Sequence, residues 1–232
     1  SVISKGAAAF ILLILLFTVL KPLMRIWENI IYVVALATMF IGNLFALRQQ
    51  NMKRFLAFSS IAQAGFRLLG LITGTQLGTA TVVYFVLVYI FTNLAAFGVV
   101  QAIALKTGKE NRDDYNGLYR TNPNLSLVMM LALFSLAGIP PVAGFFGKFF
   151  LFAAAASKGY YLLVFLAVVN VTISLYYYLL VVRAMFIRKS DNPIPFFKSK
   201  IYMRLGLLLT VLGILVLGLY SPLYDYIFEL ST

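Results

Sequence analysis

Residues 125–157 read LSLVMMLALFSLAGIPPVAGFFGKFFLFAAAAS, an apolar run of 33 residues with Pro140-Pro141 near its middle and one charged residue, Lys148. At a rise of about 1.5 Å per residue, a straight helix of that length overshoots a hydrocarbon core about 30 Å thick. Proline has no N–H to give, and its ring crowds the preceding turn. The run therefore reads as a helix broken near mid-membrane at Pro140 and Pro141, with a half-helix on each side. That reading fixes the class as all-α, because a membrane allows only helices or closed barrels and this run has no strand alternation.

Working outward from it, six more apolar runs are found. They cover about Val2–Leu20, Ile30–Leu47, Phe55–Thr73, Ala80–Leu105, Tyr160–Ile187 and Ile201–Tyr220. The expectation is a polytopic membrane helix bundle of seven spans, the fifth broken, forming a single transmembrane domain over residues 1–232. Composition agrees: 62% of residues are hydrophobic and 11% charged, too few charges to cover a soluble domain of 232 residues. There is no cysteine and no histidine. Disulfides are excluded, and so are the usual ligands of haem, zinc, copper and iron–sulfur clusters, so no cofactor or metal is expected in this chain.

A net charge of +12 invites a nucleic-acid reading, but the basic residues lie in the connections, where membrane orientation explains them. Twelve (Arg48, Lys53, Arg54, Lys106, Lys109, Arg112, Arg120, Arg188, Lys189, Lys198, Lys200 and Arg204) fall on one side and three (Lys21, Arg25 and Lys158) on the other. The positive-inside rule puts the first group in the cytoplasm. The chain then starts on the cytoplasmic side and ends on the periplasmic side of a cell inner membrane. It opens inside a span with neither an initiator Met nor a signal-peptide start, so it is expected to be the C-terminal part of something longer.

Three basic residues, Lys5, Arg67 and Lys148, are read as buried in the runs, away from the run ends where Arg183 and Arg204 lie. A charge at the bilayer centre costs about 2.5–3.5 kcal/mol on insertion scales, so each needs a reason. Lys148 is flanked by Phe145, Phe146, Phe149 and Phe150, far from either interface. Either it snorkels, or it hydrogen-bonds carbonyls freed by the break, or it holds a transported proton. Desolvation penalises the charged form of an amine. A lysine in an apolar, partly hydrated site can therefore exchange a proton nearer neutral pH than one in water, at about 10.4. Lys5 has small neighbours, Gly6, Ala7, Ala8 and Ala9, which leave room for water and close helices. Ser60, Gln63 and Arg67 recur at spacings of three and four and share one helix face, so Ser60 and Gln63 are candidates for a water path. Arg67 is expected to snorkel to the outer interface. Asn93, Asn170, Thr172 and Ser174 are expected to serve packing. No Asp or Glu lies within any span.

Two stretches carry a resemblance. NMKRFLAFSSIAQAGF (Asn51–Phe66) and SLAGIPPVAGFFGKF (Ser135–Phe149) are similar to two helices of the antiporter-like membrane subunits of respiratory complex I, the NADH-quinone oxidoreductase. Within that family the chain most resembles the subunit N type. The broken helix carries a lysine where the subunit M type has a glutamate, and no long lateral helix follows the last span. The resemblance implies helices eight to fourteen of fourteen, with Lys5 passing protons along the central axis to Lys148. It implies partners among the other membrane subunits of complex I, with quinone acting only indirectly. Gln63 and Phe66 stand where His and Tyr are common in the family. The expected function is proton translocation from cytoplasm to periplasm, driven by quinone reduction elsewhere in the complex. The alternatives are a subunit of a multisubunit cation/proton antiporter and a structural membrane scaffold.

Overall fold

The computed structural model describes residues 2–220 and 222–231, and side chains from Ser4 onward; Ser1, Ser221 and Thr232, which fall in the expected 1–232 domain, lie outside the described residues. The helices are α1 (Val2–Ile14), α2 (Met24–Arg48), α3 (Met52–Leu71), α4 (Gln76–Thr107), α5 (Leu118–Thr121), α6 (Pro123–Ala137), α7 (Ala143–Ser157), α8 (Tyr161–Phe186), α9 (Ile201–Leu219) and α10 (Pro222–Glu229). Past Ile14 the first helix widens into a π turn over Leu15–Val19, and a 3-10 turn at Lys21–Leu23, carrying Pro22, leads into α2. The short helix α10 after the last apolar run was not expected. Among the described residues the only β pairing is a single bridge between Asn51 and Asn111.

Local sequence sets the helix ends. The Asn51 side chain accepts from the N–H groups of Lys53 and Arg54 at 3.0 and 3.2 Å, capping α3 three residues before the expected start. The Thr75 hydroxyl caps α4 by accepting from Gly78 N–H at 3.1 Å. Gly108 ends that helix at φ +68°, a conformation that favours glycine.

By length and apolarity alone, four helices can cross a membrane: Lys21–Arg48, Gln76–Thr107, Tyr161–Phe186 and Ile201–Leu219. The shorter apolar helices are Ser4–Val19, Pro123–Ala137 and Ala143–Ser157. Helix α3 carries Lys53, Arg54 and Arg67 besides Ser59, Ser60 and Gln63, and it is among the most enclosed: both its polar and its apolar faces are covered by neighbours. It packs along α2, α4, α7 and α8. The α2 contact is close because Gly42 has no side chain; a Cβ there would stand 2.5 Å from the backbone nitrogen of Ala62. On the far side α4 packs against α6, α7 and α9, which leaves α3 and α4 together at the centre of the bundle.

Candidate functional site

The site begins with two carbonyls. In a continuous helix the carbonyl of Leu136 accepts from the N–H of residue 140, and that of Ala137 from residue 141. Both positions are proline, so both carbonyls lose their partners. Helix α6 ends at Ala137, capped by Gly138 in a left-handed conformation (φ +84°), and five residues separate it from α7. The Ser135 hydroxyl spans that gap: it accepts from Gly144 N–H at 3.2 Å and meets Thr92 Oγ1 of α4 at 2.9 Å.

Lys148, in the second turn of α7, supplies the missing donors. Its Nζ donates to Leu136 O at 2.6 Å and to Ala137 O at 3.1 Å, and the residue is only 3% exposed. The ring facing the ammonium is Phe66 of α3, with its centroid 4.9 Å away. None of the four phenylalanines beside Lys148 in sequence takes that place, and Phe149 is 54% exposed. An ammonium has three N–H groups and a neutral amine has two. Lys148 can therefore release one proton and keep both carbonyl contacts.

Gln63 of α3 shares the first carbonyl, its Nε2 donating to Leu136 O at 3.1 Å. One turn earlier on the same helix face, Ser60 Oγ accepts a hydrogen bond from Lys5 Nζ. The site residues thus fall into two groups that α3 carries one turn apart: Lys5 on Ser60, and Lys148 on the two carbonyls that Pro140 and Pro141 leave open, with Gln63 on the first of them.

Arg67 does not snorkel. It is 3% exposed, its Nη1 donates to the backbone carbonyl of Lys5 at 3.1 Å, and its guanidinium lies 4.5 Å from the Tyr89 ring centroid. The aromatic face and the carbonyl hold the charge in place, so the side chain has no need to reach an interface. The nitrogen Nη2 remains without a partner.

A second polar group was missed. Asn43 of α2 donates to Asn170 Oδ1 at 2.9 Å and accepts from Tyr177 OH at 2.8 Å. The adjacent Tyr178 OH lies 2.6 Å from Ser59 Oγ and accepts from Gln63 Nε2 at 3.4 Å. The available signal was positional: three consecutive tyrosines, Tyr176 to Tyr178, lie inside a span rather than in the aromatic belts at the interfaces. Asn170, expected to serve packing alone, belongs to this network.

All the charges within this interior are positive. The ion pairs among the described residues, Lys53–Glu110 at 2.5 Å and Arg188–Asp113 at 3.5 Å, both lie in the connections. No described group of acidic side chains converges as a metal site would require.

The profile of the transmembrane family described as NADH:quinone oxidoreductase/Mrp antiporter matches residues 1–174. The chain belongs to that family. Its curated relatives include NADH-quinone oxidoreductase subunit N of Phocaeicola vulgatus, 57% identical over 97% of this chain and 48% of the relative. Another is subunit N of Azobacteroides pseudotrichonymphae, 51% identical over 100% of this chain and 48% of the relative. The chain thus spans about half the length of the curated relatives it matches. Among solved structures, respiratory complex I from Thermus thermophilus with bound aureothin contains a chain 34% identical, with a TM-score of 0.73 over 84% of this chain and 44% of that one. A chain of the Mrp complex from a Dietzia species, 23% identical, shares the fold with a TM-score of 0.87 over 97% of this chain and 50% of that one.

Proposed function

We propose that this chain is part of a proton-translocating membrane subunit of an NADH:quinone oxidoreductase. Protons move from cytoplasm to periplasm along Lys5, Ser60, Gln63 and Lys148, driven by quinone reduction elsewhere in the complex. In this reading residues 1–232 form one transmembrane domain of seven spans, with α6 and α7 as the two halves of the fifth. The chain starts at the cytoplasmic face of the inner membrane and ends at the periplasmic face. It carries no redox site or cofactor, and its partners are the other membrane subunits of the complex.

The observation that carries the reading is the buried Lys148 amine, held by two carbonyls that prolines have orphaned and sharing one of them with Gln63, with no carboxylate among its described contacts to fix its charge. Burying an ammonium without a counter-ion is costly, and an amine, unlike the guanidinium of Arg67, can relieve that cost by releasing its proton. The energies match in scale. Moving one charge against 100 mV takes about 2.3 kcal/mol, and a hundredfold change in an amine's proton affinity corresponds to about 2.7 kcal/mol. The antiporter reading rests on likeness of fold at 23% identity, whereas sequence identity with the subunit N relatives is more than twice as high.

The test is proton pumping per electron transferred in membrane vesicles containing the assembled complex, wild type against Lys148→Ala. Pumping is expected to be lost while assembly persists. Unchanged stoichiometry would leave Lys148 a structural lysine and favour the scaffold reading.

A further inference from the structure

The connection from Ile187 to Lys200 has no regular structure, yet it is fixed at its centre. Asn122, 3% exposed at the start of α6, donates from Nδ2 to Pro195 O at 3.1 Å and accepts from Phe197 N–H at 3.3 Å. Ile194 beside them is fully buried. These contacts hold residues 194–197 across the ends of α6 and α9 and leave a groove of about 650 Å³ between the two helices. Leu125, Val128, Leu208 and Val211 are among its apolar lining residues, and Lys198 and Arg204 are its charged ones.

Those charges are uncompensated. Both ion pairs among the described residues use other cations, Lys53 and Arg188. Lys198 and Arg204, with Lys200 and Lys106 lining a neighbouring cavity across Phe197, face outward without a carboxylate partner. Phe196, 73% exposed, projects beside them. Basic side chains beside an apolar trough suit a phospholipid with a negative headgroup. The volume lies within the range of built ligand pockets.

We propose that the groove between α6 and α9 is a binding site for an anionic phospholipid, with its phosphate between Lys198 and Arg204 and one acyl chain along Val128, Leu208 and Val211. The site rests on the membrane placement of α6 and α9 and not on the proton route, so a failure of the pumping experiment leaves it standing.

The test uses the assembled complex in nanodiscs of phosphatidylcholine. Each sample is doped with a trace of either phosphatidylglycerol or phosphatidylcholine carrying the same photoactivatable acyl chain, and adducts are mapped by mass spectrometry. Phosphatidylglycerol is expected to label the segments around Val128 and Leu208 in clear preference to phosphatidylcholine. Each neutralised residue is expected to lower that preference about fivefold, the factor corresponding to about 1 kcal/mol per basic residue near an anionic surface. The double variant Lys198→Gln, Arg204→Gln then loses it almost entirely. Leu208→Trp, which fills the trough and leaves the charges in place, should abolish labelling there. Equal labelling by the two lipids, labelling indifferent to both sets of changes, or adducts showing a protein segment lodged in the groove would each overturn the site.

Discussion

Lys148 and Lys5 are both amines on apolar helices, yet they are held in opposite ways. Lys148 is enclosed, with two backbone carbonyls as acceptors and an aromatic ring facing its Nζ. Lys5 is partly buried, with the Ser60 hydroxyl as its acceptor and a fixed cation, Arg67, on its own carbonyl. The backbone sets the contrast. Around Lys148 the chain has been broken to create acceptors, whereas Lys5 sits on an intact helix whose carbonyls are already used and must borrow an acceptor from α3.

The largest expected effect separates proton exchange from simple anchoring. Lys148→Arg keeps a cation and its donors, but a guanidinium does not deprotonate in proteins. Pumping per electron should fall about a hundredfold, as for loss of a positioned acid–base group, while NADH oxidation by the assembled complex continues. An arginine variant that pumps normally would erase the distinction between the two lysines and make Lys148 a tether.

Packing gives the next test. A Cβ on Gly144 would lie 1.7 Å from Ser135 O, whereas one on Gly6, beside Lys5, meets nothing closer than Val86 Cγ1 at 3.5 Å. Gly144→Ala forces the start of α7 away from α6 and should destabilise the assembled subunit by about 3 kcal/mol, at the upper end of overpacking costs. Gly6→Ala should lie within about 0.5 kcal/mol of wild type. Thermal dissociation of the purified complex reads both. Equal effects at the two glycines would mean that the Lys5 region is as tightly built as the break.

How much of this was legible follows the same division. The interruption between Ala137 and Ala143 was readable because its cause is local: two prolines remove two donors, and the orphaned carbonyls follow from counting four residues back. The shared face of Ser60, Gln63 and Arg67 was readable from helical spacing. What covers that face was not. Periodicity says that Arg67 points with Gln63, but the Tyr89 ring that holds it inward comes from another helix, 22 positions along the chain. The Asn43–Asn170–Tyr177 network joins residues up to 134 positions apart, and each one alone looks like an ordinary packing polar group. The widening of the first helix over Leu15–Val19 holds no proline or glycine of its own; Pro22, four residues past Thr18, was the nearest signal.

The smallest effect lies outside the membrane and sharpens the contrast between the interior and the connections. Glu110, at the surface, accepts from Lys53 Nζ and Asn51 Nδ2, and these hydrogen bonds hold its carboxyl below the usual carboxylate range. The backbone carbonyl of Glu110 also accepts from Met52 N–H at 2.8 Å, tying the start of α3 to the connection after α4. A carboxylate whose folded pKa is depressed contributes its stabilisation in full above its ordinary value, about 4.3, and loses it as pH falls through the lowered one. Hydrogen exchange at Met52 should therefore be steady from neutral pH down to about 5 and quicken only below about 4, beyond the intrinsic change in exchange rate. In Glu110→Gln the extra acid dependence should disappear, leaving a uniformly faster exchange. The Lys148–carbonyl contacts include no carboxylate, so the amides around Gly144 should show no such step. A matching acid step at Gly144 would mean that the interior is coupled to the connection, and that the amine at the break answers to a carboxylate it does not touch.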